Sequence, residues 1–378
     1  MLDSLLEKKL RERESKQLLR QLTTVNGLID FTSNDYLGLA ASTELFQLID
    51  HSVKSQGVRK NGSGGSRLLS GNSELAENVE SRLADIFQAE SALLFNSGYT
   101  ANLAVLSSIP RRDDTIIYDE LAHSCIKDGA RLSLAKRLSF KHNDLNDLEN
   151  KMRKASGKLF IVVESIYSMD GDCCPLKELV PLTEKYNATI ILDEAHSTGV
   201  MGQNGNGLSV SARLHERIGV RIYTFGKAMG VHGACVAGSK ILRQYLINFA
   251  RPFVYTTALP PHSVTAIDCA FNYLRQNISL QRSLVDLTHT FLNEVSPLTN
   301  RTQSVSSIQT IIITGNGNTI AAAKNLQDLG FDVRPILSPT VPEGSERLRI
   351  CLHTFNTTAQ VKDLAKELKQ LARSDFKV

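Results

Sequence analysis

The sequence contains no tryptophan, and aromatic residues make up only 6% of its 378 positions. Its six cysteines are Cys125, Cys173, Cys174, Cys235, Cys269 and Cys351, and no two of them stand in C-x-x-C spacing. A zinc ribbon or a thioredoxin-type redox pair needs that spacing, so neither is expected. Cys173 and Cys174 are adjacent, which suits one disulfide poorly. All six are read as reduced thiols of a cytoplasmic protein. No apolar run approaches the ~18 residues that cross a bilayer, so no membrane span is expected. The N-terminal MLDSLLEKKLRERESK lacks the apolar core of a secretory signal. An excess of one charge is missing too. Lys plus Arg number 43 and Asp plus Glu 39, a net charge of +4. That is too mild to point to nucleic acid as a partner.

Several nucleotide and metal motifs are near misses. Gly226-Lys227 is not a P-loop, because Arg221 stands where a glycine is required and Ala228 replaces the Ser/Thr. Gly62-Ser63-Gly64-Gly65 fails the dinucleotide pattern G-x-G-x-x-G, and His215-Glu216 has no second His four residues after the first. Nucleotide hydrolysis, a Rossmann site and simple zinc hydrolysis are therefore not the leading readings.

What is present is an ordinary globular composition, 42% hydrophobic and 22% charged. Leucines at 2, 5, 6, 10, 18, 19 and 22 give a loose helical stripe on a charged segment. Gly27 to Phe31 reads as a strand. Short runs apolar on both faces follow at 92–95, 115–118, 159–163, 189–192 and 221–225. Strands of a parallel sheet, buried on both sides, look like this. The stretches between them are long enough for crossover helices. Towards the C-terminus, 309–313 and 347–350 read as strands and 319–329 as a helix. Thr357-x-x-Gln360 is a capping box ahead of Val361, Leu364, Leu368 and Leu371. The expected organisation is an N-terminal segment (1–40), a large α/β domain (41–280) and a smaller α+β domain (281–378).

Three features fall at the carboxyl ends of expected strands, where open α/β sheets hold ligands. Asp193 ends a buried run in Leu192-Asp193-Glu194-Ala195-His196, so its carboxylate needs a cationic partner. A protonated pyridine nitrogen would serve, turning the ring into an electron sink. The plainer reading of Asp193 is a helix cap. Lys227 follows the run ending at Phe225, with Gly226 allowing close backbone approach. A lysine in a closed site can lose its proton and form Schiff bases, although a lone lysine after a strand is usually a surface residue. Asn96-Ser97-Gly98-Tyr99 opens a helix and could present N–H groups to a phosphate; alone, it would be a plain capped helix. The order of phosphate loop, Asp, then Lys is more specific than any single feature.

The segments that carry a family likeness are SNDYLGL (33–39), GSGGSRLLSGN (62–72), LLFNSGYTANLAV (93–105), ELAHSCIKDGARLS (120–133), SIYSMDGD (165–172), LDEAHSTGVMGQNGNG (192–207), TFGKAMGVHGA (224–234), FARPFVYTTALPP (249–261) and SPTVPEGSERLRI (338–350). Through them the chain resembles the α-oxoamine synthases, pyridoxal-phosphate (PLP) enzymes of fold type I, over nearly its whole length. The resemblance implies a mostly parallel central sheet covered by helices, with a smaller C-terminal domain. It implies Lys227 as the Schiff-base lysine, Asp193 as the pyridinium partner, His196 as the contact to the phenolic oxygen, and His123 as the group stacked on the ring. Gly98 and Tyr99 match the phosphate donors, and Ser168 and Thr224 further cofactor contacts. Thr256 and Thr257 match a segment that reaches the phosphate across a homodimer interface. Asn34, Thr340 and Arg349 match substrate positions, Arg349 for the α-carboxylate, and Arg20 an acyl-substrate contact. The implied reaction is a decarboxylative condensation of an amino acid with an acyl-CoA. The likeness is greatest to the biotin-synthesis branch, which uses L-alanine and pimeloyl-CoA. A branch using glycine or serine, a transaminase and a non-catalytic subunit of this fold remain as rivals.

Overall fold

The computed structural model describes residues 2–16, 18–22, 24 and 27–372. Its strands in chain order are β1 (Ile29–Asp30), β2 (Ser91–Phe95), β3 (Thr115–Asp119), β4 (Lys136–Phe140), β5 (Leu159–Glu164), β6 (Thr189–Asp193), β7 (Val220–Thr224), β8 (Ala234–Gly238), β9 (Ile308–Ile312), β10 (Phe331–Asp332), β11 (Arg334–Ile336) and β12 (Arg347–Cys351). The chain divides into two compact units. One comprises 34–168 with 173–283, and the other 1–33, 169–172 and 284–378.

The larger unit holds a seven-stranded sheet in the order β2-β8-β7-β6-β5-β3-β4. From β7 to β4 every pairing is parallel, while β8 runs antiparallel to both β2 and β7. The central strands are buried on both faces because their side chains alternate between two helical layers. Ile116, Val162, Ile191 and Ile222 join Leu93 and Phe95 in one core, which includes residues of the helices Gly98–Ser108 and Ser124–Leu132. Their neighbours Ile117, Ile161, Val163, Ile190 and Leu192 enter the opposite core with Leu148, Leu176 and Leu179. Fully burying one such side chain contributes about 1.5–3 kcal/mol.

All five apolar runs form strands of this sheet. It also holds two strands that no apolar run announces. In β4, Lys136, Arg137, Leu138 and Ser139 are exposed and only Phe140 is buried; charge on an edge strand discourages pairing with other chains. In β8 the sequence is ACVAG, poor in β-branched residues, and its place comes from two neighbours rather than from propensity.

In the smaller unit β11, β12 and β9 form an antiparallel sheet. The strand expected over 27–31 is limited to Ile29–Asp30, paired in parallel with β10. The expected terminal helix is present over Thr358–Leu371, with both hydrogen bonds of its capping box made. The N-terminal helix stops at Ser15, and every residue of it is exposed. No leucine stands between Leu10 and Leu18 to carry the stripe onward, so Arg20 lies outside a helix. Among the described residues no helix is long and apolar enough to cross a membrane.

Candidate active site

The carboxyl ends of β2, β3, β5, β6 and β7 bring the larger unit's chemistry to one edge of the sheet. Asp193 closes β6 and is 6% exposed. Its Oδ1 accepts the Ala195 N–H at 2.8 Å, and its Oδ2 accepts the Asn102 side-chain N–H at 2.7 Å. Asn102 also donates to the Gly98 carbonyl at 3.0 Å. Among the described residues no cation pairs with Asp193. A buried carboxylate in that state costs several kcal/mol unless a positive group joins it.

Lys227 follows β7 in a turn closed by Gly230 N–H donating to the Lys227 carbonyl at 2.8 Å. The glycine this turn requires is Gly230 and not Gly226. Gly230 has φ +66°, and a Cβ there would collide with the Ala40 nitrogen. A Cβ on Gly226 would meet only the Val231 carbonyl oxygen at 3.9 Å. The Lys227 Nζ donates to His196 Nε2 at 2.7 Å. His196 Nδ1 lies 2.7 Å from the Tyr36 hydroxyl, which donates to Asn34 Oδ1 at 3.1 Å. With hydrogens placed to satisfy these contacts, donation runs from Lys227 through His196 and Tyr36 to Asn34.

At β2, Ser97 caps the following helix by accepting the Thr100 N–H. The N–H groups of Gly98 and Tyr99 have no acceptor among the described residues. Gly98 lies so close to Thr224 that an added Cβ would overlap the Thr224 hydroxyl oxygen. The Tyr99 side chain points elsewhere, donating to Asp128 at 2.7 Å. Asn96 donates to Thr256 Oγ1 at 3.3 Å and to the Thr257 carbonyl at 3.0 Å, so both threonines sit beside their own chain's loop. Ser168 is buried.

His123 follows β3 and is an exposed residue. Desolvation and then the Lys227 charge lower its pKa from the ordinary histidine value. Its main-chain N–H donates to Glu164 Oε1 at 2.5 Å. Glu164 ends β5 directly opposite Asp193 in the register of the two strands. Burial and then the Asp193 carboxylate push the Glu164 pKa well up.

Sequence patterns assign no role to Glu164, Asn102, Tyr36 or Cys125. Glu164 has a usable signal, since it closes an apolar run at the same offset as Asp193 does. Asn102 and Tyr36 act through contacts between remote segments, which no local pattern reveals.

In the smaller unit, Arg349 is 8% exposed on β12, and its Nη1 stands 3.0 Å from Cys351 Sγ. Thr340 is exposed, just after the cis Ser338-Pro339 peptide. Arg20 is exposed.

The larger unit fits the cofactor that the resemblance implies. PLP brings a pyridine nitrogen, a phosphate and an aldehyde. Asp193 lacks a cation, two helix-terminal N–H groups lack an acceptor, and Lys227 Nζ is held by a histidine. These needs are complementary.

Comparison with known proteins agrees. The aminotransferase class I and II family model matches residues 26–368. An 8-amino-7-oxononanoate synthase of Emericella nidulans is 38% identical, over 97% of this chain and 94% of its own length. One from Alkaliphilus oremlandii is 36% identical over 96% and 95%. Among solved structures, the 8-amino-7-oxononanoate synthase of Francisella tularensis is 29% identical, with a TM-score of 0.80 over 92% of this chain and 99% of that one. A serine palmitoyltransferase solved with PLP is 25% identical, with a TM-score of 0.88 over 98% and 97%.

Proposed function

The chain belongs to the aminotransferase class I and II family and, within it, to the α-oxoamine synthases, and from this we propose that it is a PLP-dependent acyltransferase joining L-alanine to pimeloyl-CoA. The products are 8-amino-7-oxononanoate, CoA and CO₂, a step of biotin synthesis. The observation that carries the reading is the near-full-length likeness to synthases of that name. The Lys227–His196–Tyr36 chain beside an unpaired Asp193 supports it chemically.

When bound, PLP supplies an electron sink for negative charge developing at the α-carbon of alanine. Lys227 holds the cofactor covalently and, once its amine is released, takes the α-proton at Nζ. His196 orients that amine. Asp193 keeps the ring nitrogen protonated, and Asn102 with the Ala195 N–H stops the carboxylate from turning away. The Gly98 and Tyr99 N–H groups hold the phosphate end, and Ser168 and Thr224 make further contacts to the cofactor. His123 covers the ring. The alanine α-carbon bonds to the thioester carbonyl carbon as the CoA thiolate leaves. The carboxylate then departs as CO₂ and leaves its bonding electron pair behind, and a proton delivered from Lys227 Nζ to the α-carbon completes the product. Arg349 grips that carboxylate so that the breaking bond is correctly oriented; Asn34 and Thr340 line the substrate. Arg20 pairs with the distal pimeloyl carboxylate, which needs a partner once out of water. Thr256 and Thr257 serve the phosphate of a second copy in a cytoplasmic homodimer.

The test is kcat/KM over a panel of acyl-CoAs with alanine, and of amino acids with pimeloyl-CoA. Pimeloyl should exceed acetyl, succinyl and palmitoyl thioesters. Alanine should exceed glycine and serine, by about 10–200-fold over glycine because one methyl decides it. A preference for palmitoyl-CoA with serine would overturn the substrate assignment and leave the PLP site standing.

A further inference from the structure

His123 caps the helix Ser124–Leu132 with its own ring, Nδ1 accepting the Cys125 N–H at 3.2 Å. The Cys125 sulfur stands 2.9 Å from the same nitrogen. A sulfur so placed could be a thiolate beside an imidazolium, as in a nucleophilic cysteine pair. It could also be a thiol donating to a neutral ring. The Cys125 N–H decides between them. A main-chain N–H donates only to a nitrogen that carries no proton, so Nδ1 is bare and the sulfur can share it only as a donor. The surroundings agree. Cys125 is 3% exposed. Burial first, and then the carboxylates of Asp193 and Glu164, push its pKa far above the ordinary thiol value. Glu164 meanwhile holds the His123 main chain.

We propose that Cys125 is a positioning residue which locks His123 as a neutral imidazole, bare at Nδ1 and protonated at Nε2. The tautomer follows from protein atoms alone; its use in the reaction rests on the function proposed above. Two consequences follow for that reaction. A neutral ring can cover a pyridinium without charge repulsion. Among the described residues no protein group takes the Nε2 proton, so this N–H is a donor for a ligand oxygen, a carboxylate or a carbonyl. The charges facing the ring are Lys227 and Lys127, which disfavour its protonation, and Asp193 and Asp128, which favour it, with Glu164 on its main chain. Desolvation outweighs the two acids, so the ring stays neutral below the usual histidine range. The Cys125 hydrogen bond acts in the same direction.

The experiment is long-range ¹H–¹⁵N correlation spectroscopy on the histidine-labelled holoprotein, with His123 assigned by its loss in His123→Asn. The wild type should show a bare Nδ1 and a protonated Nε2. Cys125→Ser keeps a donor and should keep that pattern. Cys125→Ala keeps the main-chain N–H, and with it the bare Nδ1, but loses the thiol donor and should raise the His123 titration midpoint. It should also lower kcat/KM about three- to tenfold, the worth of one hydrogen bond, with most of the loss restored by Cys125→Ser. A protonated Nδ1 in the wild type overturns the proposal, and this holds even if Cys125→Ala fails to fold. An unchanged midpoint in Cys125→Ala also overturns it, as does full activity alongside a raised midpoint. Absence of wild-type turnover with alanine and pimeloyl-CoA would instead sink the function reading and leave the spectra interpretable.

Discussion

Asp193 shows how a single residue can state what its site requires. Its oxygens are held by two uncharged donors, Asn102 and the Ala195 N–H, at 2.7 and 2.8 Å. They fix direction without neutralising charge, which leaves that task to a ligand. Asp193→Asn keeps the shape and removes the charge. Loss of a contact aimed at developing charge costs about 10²–10³ in rate, and α-proton exchange with alanine should fall by that amount. Near-normal exchange in this variant would remove the electron-sink role. Asp193 is legible in the sequence because the apolar run of β6 ends on it. Glu164 ends β5 in the same way, and that local signal marks its position without assigning it a role. Its importance emerges only once β5 and β6 are in register and His123 is seen to depend on it.

At the scale of elements, the lysine turn after β7 is tightly constrained by the backbone it packs against. Gly230 has a positive φ and lies against the Leu39–Ala40 backbone, where an added Cβ meets main-chain atoms with no flexible side-chain tip to displace. Gly230→Ala should therefore destabilise the protein by about 1–3 kcal/mol from backbone strain alone, with the contact adding to it. Denaturant titration measures this; an unchanged midpoint would mean that the turn relaxes. Gly226→Ala, by contrast, meets nothing closer than 3.9 Å. The sequence points to Gly226 because it adjoins the lysine, whereas the demand comes from a segment far away in the chain. The same limit explains β4 and β8. Exposed Lys136 and Arg137 hide the periodicity of an edge strand, and ACVAG carries too little propensity to declare itself. Strands with strong apolar runs, and the capping box at Thr357, are legible because local chemistry alone specifies them.

The whole molecule raises the question of whether one chain suffices for one site. Thr256 and Thr257 are held beside Asn96 of their own chain, while the family likeness has this segment serving a second copy. A mixing experiment distinguishes the two. Lys227→Ala chains lack the lysine, and Thr257→Ala chains weaken the phosphate contact. If sites are shared across a closed dimer, a mixed dimer contains one site with both residues intact, so combining and re-equilibrating the two inactive or weakened proteins should restore activity. Activity equal to the mean of the separate samples would place Thr257 in its own chain's site. Sedimentation of a fully active monomer would place it there as well, by an independent route.

All of this chemistry depends on Lys227 holding PLP covalently. Borohydride reduction of the yellow holoprotein, followed by peptide mapping, puts that bond to the test. The reduced cofactor should be found on Lys227, and none should be found on the Lys227→Ala protein; a label on any other lysine of the wild type would contradict the assignment.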